Sequence, residues 1–239
     1  ECSYSKQMLK SLCQAIAAHA IVLAEKKIIP ANKQKKIFNL LKKTLVIDLN
    51  KTIKIDKENI DLYTNLDKYF TSKIGADSGW LHAGKARRES VNLSFYISIK
   101  SFLLKFEKAL IELALSLIDV SDKNSSIIMN DYTYLQHAQP TTLSHYLNTF
   151  IEPIKRDLIR ISAVYKNLDV SLGGSGSVNG TRLPIPKKRI AKLLGFESIS
   201  THSRDALWRI DLPMEIISSI LIAMTNVSRL CSELIIWNS

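Results

Sequence analysis

Glycine and proline are scarce, eight and six in 239 residues. The chain also has no run of alternating apolar and polar residues. Few turns are therefore forced, and the usual mark of a half-buried strand is missing. Cysteine is rarer still. Cys2, Cys13 and Cys231 are too few and too scattered for a disulfide framework, and no Cys-x-x-Cys pair points to zinc. The expectation is a reducing, cytoplasmic setting, with no metal and no cofactor. Glu1 to Lys6 is polar and does not read as a secretory segment. The chain does not open on methionine, so residues upstream are expected. The longest apolar stretch, Ile216 to Met224, reads as too short to span a bilayer. Asn226, Arg229 and Glu233 beside it would be costly in lipid.

What is present is an apolar content of 46%, a globular composition that fits one large domain or two small ones. Net charge is +11. The lysines crowd into the first third, among them Lys26, Lys27, Lys33, Lys35, Lys36, Lys42, Lys43, Lys51, Lys54 and Lys57. No aromatic residue is interleaved there to stack bases, so the reading is a solvated helical face and not a nucleic-acid site. Such a surface also attracts a dicarboxylate.

Helical periodicity fills the chain. Met8, Leu12, Ile16, Ala20 and Leu23 predict a helix over 5–28, closed by Pro30. Further helices are expected over 31–46, 57–73 (Ile60, Leu66, Phe70), 88–120, 142–169 with a kink at Pro153, and 186–194. A last helix starts near Asp205 or Pro213 and runs to 236, with Asp205 as its cap. It is apolar nearly all round, so other helices should surround it. Residues 75–86 and 119–130 read as loops, as does the segment that carries His137. The fold class is all-α, an elongated bundle of long helices shared between subunits.

Three polar segments interrupt the helices. Leu81 to Ser90 gathers His82, Lys85, Arg87 and Arg88 at a loop-to-helix junction, where guanidinium forks and free N–H groups suit a carboxylate. The bland alternative is a helix start whose Arg and Glu pair on the surface. Thr133-Tyr134-Leu135-Gln136-His137-Ala138-Gln139-Pro140 places a Thr-Tyr pair where a carboxylate or an amine can be bonded. Its alternative is a buried tyrosine with a satisfied hydroxyl. His137 is near enough to approach such a site, and His145 is expected to pack in the bundle. Gly174 to Ile185 offers backbone donors with Ser175, Ser177 and Asn179. It lacks the preceding strand of a dinucleotide fold.

The second of these resembles the Thr-His-Leu-Gln-x-Ala-Gln-Pro segment of argininosuccinate lyases in the fumarase/aspartase superfamily, with Tyr134 in place of the family's histidine. The first is similar to Leu-His-Thr-x-Arg-Ser-Arg-Asn-Asp-Gln, which binds substrate carboxylates in that family. Leu81, His82 and Arg87 match, while Ala83, Lys85, Ala86, Arg88, Glu89 and Ser90 depart. The third is similar to Gly-x-Gly-Ala-x-Ala-Gly-Thr-x-x-Pro. His202 to Asp211 resembles Asn-Ser-x-Asp-Ala-x-Ser-x-Arg-Asp through Ser203, Asp205, Ala206 and Asp211.

The resemblance implies β-elimination from an N-succinyl amine, releasing fumarate, in a homotetramer with shared active sites. It implies Thr133 and Tyr134 as catalytic contacts. It implies substrate binding by His82, Lys85, Arg87, Arg88, Gln139, Ser175, Ser177 and Asn179. It also implies an N-terminal domain over 1–87 and a central bundle over 88–239. The family's base is a serine on a Gly-Ser-Ser-x-Met-Pro-x-Lys-x-Asn loop that residues 1–239 do not contain. A fragment or one piece of a split protein is therefore expected. The alternative is a non-catalytic relative that keeps the fold with a ligand-binding or assembly role.

Overall fold

The computed structural model describes residues 2–53, 55–56 and 61–238. The expected helix start at 57–60, with Ile60, lies outside the described residues. The described chain divides into two compact units: Glu1–Lys100 with Leu168–Arg209, and Ser101–Asn167 with Ile210–Ser239.

In the first unit, α1 (Cys2–Glu25) and α2 (Ala31–Val46) pack into one core. Leu9, Leu12, Ile16, Ala20 and Leu23 on α1 are all at most 2% exposed, as their helical spacing requires. The short α3 (Leu49–Thr52) is followed by α4 (Leu62–Ile74), capped by Asp61, whose carboxylate accepts the Thr64 N–H at 2.9 Å. Leu66, Phe70 and Leu81 complete the core at 0% exposure. Each such side chain contributes roughly 1.5–3 kcal/mol by burial. The expected loop at 75–86 begins as a 3-10 helix, Gly75–His82.

Helix α5 (Arg87–Lys123) gives residues 87–100 to the first unit and 101–123 to the second. Where a loop was expected, the chain forms a hairpin. β1 (Ile128–Thr133) pairs antiparallel with β2 (Gln136–Thr142), Thr133 opposite Gln136. Its two turn residues, Tyr134 and Leu135, both have positive φ, 52° and 61°. This is the turn that matches strand twist, and it is normally built with Asn or Gly. Helix α6 (Leu143–Leu168) continues through Pro153. A two-residue strand β3 (Val170–Ser171) pairs in parallel with β4 (Ser198–Ile199), on either side of α7 (Lys187–Leu194). The last expected helix is two: α8 (Ser203–Trp208) and α9 (Asp211–Trp237). Asp205 caps neither. His202 caps α8 by accepting the Asp205 N–H, and Ile210 precedes α9.

The second unit's core is Leu110, Ala114, Ile154 and Ala223, from α5, α6 and α9. Its polar anchor is Asp157, whose carboxylate takes Arg160 at 2.7 Å and Asn226 of α9 at 2.8 Å. Contrary to expectation, α9 is not surrounded. Met214, Ile217, Leu221 and Ile235 are each at least 65% exposed. His145 is likewise exposed and not packed. By length and composition alone, Gln7–Glu25 and Asp211–Trp237 both pass as apolar enough to cross a membrane, the second because its helix runs beyond Ile216 to Met224 and takes in Asn226, Arg229 and Glu233. The first is accounted for as a mostly buried core helix.

Removing one partner of a buried carboxylate exposes its desolvation cost. Asn226→Ala is expected to lower unfolding free energy in urea by about 1–3 kcal/mol. An unchanged midpoint would show that Asp157 does not need this bond.

Candidate active site

The first turn of α5 is built against the glycine turn. Glu89 is 1% exposed. Its carboxylate accepts the N–H of Gly174 at 2.9 Å and that of Gly176 at 2.6 Å. In return the carbonyl of Gly176 accepts the Ala86 N–H at 3.2 Å. The surface Arg–Glu pair considered from the sequence is therefore not what forms. Burial pushes the Glu89 carboxyl above its ordinary range. The Gly174 N–H, Lys85, the Gly176 N–H and Lys187 pull it back.

Gly176 must be glycine. Its φ is 67°, and a Cβ there would run into the Gly180 carbonyl. Gly176 and Gly180 also bridge one another, which closes the turn. Ser175 is wholly buried, with no partner for its hydroxyl. Ser177 and Asn179 are exposed.

The expected carboxylate binders each hold an internal partner. Lys85 donates to the Ser90 hydroxyl at 2.8 Å, and burial pushes its amine down to about 8. Arg87 pairs with Asp61 at 3.0 Å. Arg88 lies over the Trp208 ring at 3.8 Å, a cation–π contact that brings the His202–Asp211 segment to the same place. Asn92 reinforces it by donating to the Leu207 carbonyl at 3.1 Å.

His82 is fully engaged. Its Nε2–H faces Asp67 at 2.7 Å, and its Nδ1 then accepts the Tyr63 hydroxyl at 2.5 Å. Burial lowers the His82 pKa. Burial, with Asp67 next, raises that of Tyr63. Sequence reasoning missed Tyr63, Asp67 and Asp61 because no motif carried them. It missed Glu89 as an anchor because it read that residue as a departure from the family segment or as a surface partner of Arg. A further buried group supports the loop: His19 bonds the Ala83 carbonyl through Nε2 at 2.8 Å. Burial, then the charge of Lys85, pushes its pKa down to about 3.

The hairpin belongs to the second unit. Tyr134 is 100% exposed at its tip, so the buried-tyrosine alternative does not hold. Thr133, Gln139 and His137 are also exposed, the last beside Tyr132 with ring centroids 5.1 Å apart. A groove of about 700 Å³ is lined by Tyr132, Tyr134, Tyr146, Glu233 and Trp237 among others. Tyr146 donates to Glu233 at 2.6 Å on its wall.

The lyase family profile matches residues 2–239. The chain belongs to the lyase family. It is argininosuccinate lyase-like, within the fumarase/aspartase superfamily. It is 32% identical over 237 residues to argininosuccinate lyase of Clostridium perfringens, covering 99% of this chain and 51% of that protein. It is 33% identical over 236 residues to argininosuccinate lyase of Leuconostoc mesenteroides, with coverages of 99% and 51%. The chain thus spans about half the length of the curated relatives it matches. Among solved structures, an EDDS lyase in complex with formate aligns at a TM-score of 0.90 and 23% identity, over 98% of this chain and 46% of that one. A fumarate lyase:delta crystallin from Brucella melitensis aligns at 0.84 and 14%, over 96% and 55%. These likenesses establish the all-α lyase fold.

His19 gives this lyase-family chain a testable acid sensitivity. Its folded pKa of about 3 lies below the ordinary 6.5, so the unfolded chain binds the extra proton between these values. Stability is present above pH 6.5 and is lost as pH falls, by up to about 1.4 kcal/mol per pH unit. His19→Gln, which can keep the bond to Ala83, is expected to remove about one proton from that slope in denaturation series between pH 6.5 and 4.5. Parallel slopes would refute it.

Proposed function

We propose that the complete protein cleaves a carbon–nitrogen bond by β-elimination of an N-succinyl, argininosuccinate-like substrate, releasing fumarate. The observation that carries this is the meeting of three family segments at the start of α5. Ala86 bonds Gly176, Glu89 bonds Gly174 and Gly176, and Arg88 stacks on Trp208. A proton leaves the carbon beside one carboxylate. Cations hold the resulting charge, the C–N bond breaks, and its electron pair departs on the amine.

In this reading Lys85, Arg87 and Arg88 bind carboxylates, with His82, Ser177, Asn179 and Gln139 at the margins. Ser175, being buried, supports the turn from within. Thr133 and Tyr134 contact the reacting end or leaving group. Support for Tyr134 comes from its positive φ together with that of Leu135. Such backbone costs of order 1–3 kcal/mol and collects at functional sites. The proton-abstracting serine would come from sequence outside residues 1–239. The division into domains 1–87 and 88–239 belongs to the same proposal.

We further propose a homotetramer with shared active sites. Its support is the exposed apolar surface of α9 and of Leu104, Leu115 and Ile159 on α5 and α6, since apolar faces of this kind mark association surfaces. A small carboxylate is the partner. Neither a membrane nor nucleic acid is part of the proposal, and the setting is cytoplasmic.

A non-catalytic relative is the second reading. It is favoured by Tyr134 standing where the family has histidine.

The complete protein is expected to raise fumarate absorbance when given argininosuccinate or another N-succinyl compound. Silence with all of them would favour the second reading. If Lys85 binds a carboxylate, KM should rise as pH passes its pKa of about 8, because the amine loses its charge. In Lys85→Arg that rise should vanish. A rise retained in the Arg variant would remove Lys85 from the binding set.

A further inference from the structure

The first turn of a helix has free N–H groups, and a glutamate at its third position ordinarily reaches back to the N–H of its own capping residue. Glu89 holds that position in α5, two residues after Arg87. It does something else. The Ala86 N–H is already taken by the Gly176 carbonyl, which frees the Glu89 carboxylate to accept Gly174 and Gly176. The capping exchange has been opened, and a turn distant in sequence has been inserted into it.

Both glycines have positive φ, 81° and 67°, a conformation in which glycine costs nothing but which nothing local enforces. Gly176 is therefore held on both sides, by its N–H to Glu89 and by its carbonyl to Ala86. Immediately after it the chain emerges: Gly176 is buried, while Ser177, Val178 and Asn179 are exposed. Lys187, beside the same carboxylate, donates to Ser203 at 3.3 Å. One carboxylate thus fixes where the exposed part of the turn leaves the core, next to Lys85 just before its own helix and to Arg87 and Arg88 in that helix's first turn.

We propose that Glu89 is a positioning residue. It touches no substrate, and by clasping Gly174 and Gly176 it sets the turn that carries Ser177 and Asn179 into register with the cations of α5. This rests on the reading of that place as a carboxylate site. The readouts below separate a failure of the clasp from a failure of the reading.

The complete protein is compared with Glu89→Gln, Glu89→Asp and Glu89→Ala. Hydrogen exchange is followed in peptides covering 172–181 and, as a folding control, in α1. Fumarate binding is measured by titration calorimetry. Losing the paired acceptor is expected to speed exchange in 172–181 about tenfold or more in Gln and Ala, with α1 unchanged. The fumarate Kd is expected to rise about tenfold. Asp keeps two acceptor oxygens on a shorter stem, so it should lie nearer the parent than Gln does, although Gln matches the parent in size. If Ala does not fold, Gln and Asp still give that order.

The proposal is overturned if Gln behaves as the parent, which would make Glu89 a space-filler. It is also overturned if the turn loosens while fumarate binding is unchanged. A parent that does not bind fumarate sinks the carboxylate reading, and the exchange rates still decide whether Glu89 holds the turn.

Discussion

The candidate site depends on one buried carboxylate. Glu89 sits at 1% exposure with two glycine N–H donors at 2.9 and 2.6 Å. A buried charge without partners would neutralise or unfold the region, so its donors are obligatory. Those donors are backbone groups of a turn that has no regular structure of its own. The helix start and the turn consequently specify each other, and the helix supplies the cations while the turn supplies the hydroxyl and amide groups. Gly176, open to no other residue type on steric grounds, is the backbone half of the same constraint.

Around that joint the cations are held in reserve. Arg87 is paired with Asp61, Arg88 is stacked on Trp208, and Lys85 is turned to Ser90. A pair such as Arg87–Asp61, whose side chains are 49% and 31% exposed, is worth about 0.2–1 kcal/mol. An arriving carboxylate offers Arg87 a bidentate partner of greater worth. Weak internal pairing keeps the guanidinium ordered and costs little to exchange. The same weakness explains why internal partners do not by themselves argue for a retired site.

Much of the helical frame was legible, because a 3.6-residue apolar period survives any tertiary context. Residues 31–46 were bounded correctly, with Pro30 at the start, and the long helices at 87–123 and 143–168 fell within three residues of expectation. The hairpin was not legible. Its turn residues are Tyr134 and Leu135, which carry none of the Asn or Gly signal that positive φ usually leaves in sequence. The break at Arg209–Ile210 between α8 and α9 was half legible: Pro213, in the first turn of α9, was one of the two starts the sequence offered, but nothing marked α8 as a separate helix. The site was half legible. The motif cations could be named, but their partners Asp61, Trp208, Tyr63 and Asp67 come from other elements with no spacing rule to join them. Glu89 was in view and misread, since a glutamate early in a helix has an ordinary local use.

In the proposed site Arg87 is one of the carboxylate-binding cations, and Asp61 competes for it. Asp61 also caps α4 by accepting the Thr64 N–H, and asparagine caps nearly as well as aspartate. Asp61→Asn therefore removes the competing charge while keeping the helix. Titration of the complete protein with fumarate should show binding about two- to fivefold tighter in Asp61→Asn, the factor that about 0.5–1 kcal/mol of released pairing gives. Affinity unchanged or weakened, with α4 intact, would contradict the account.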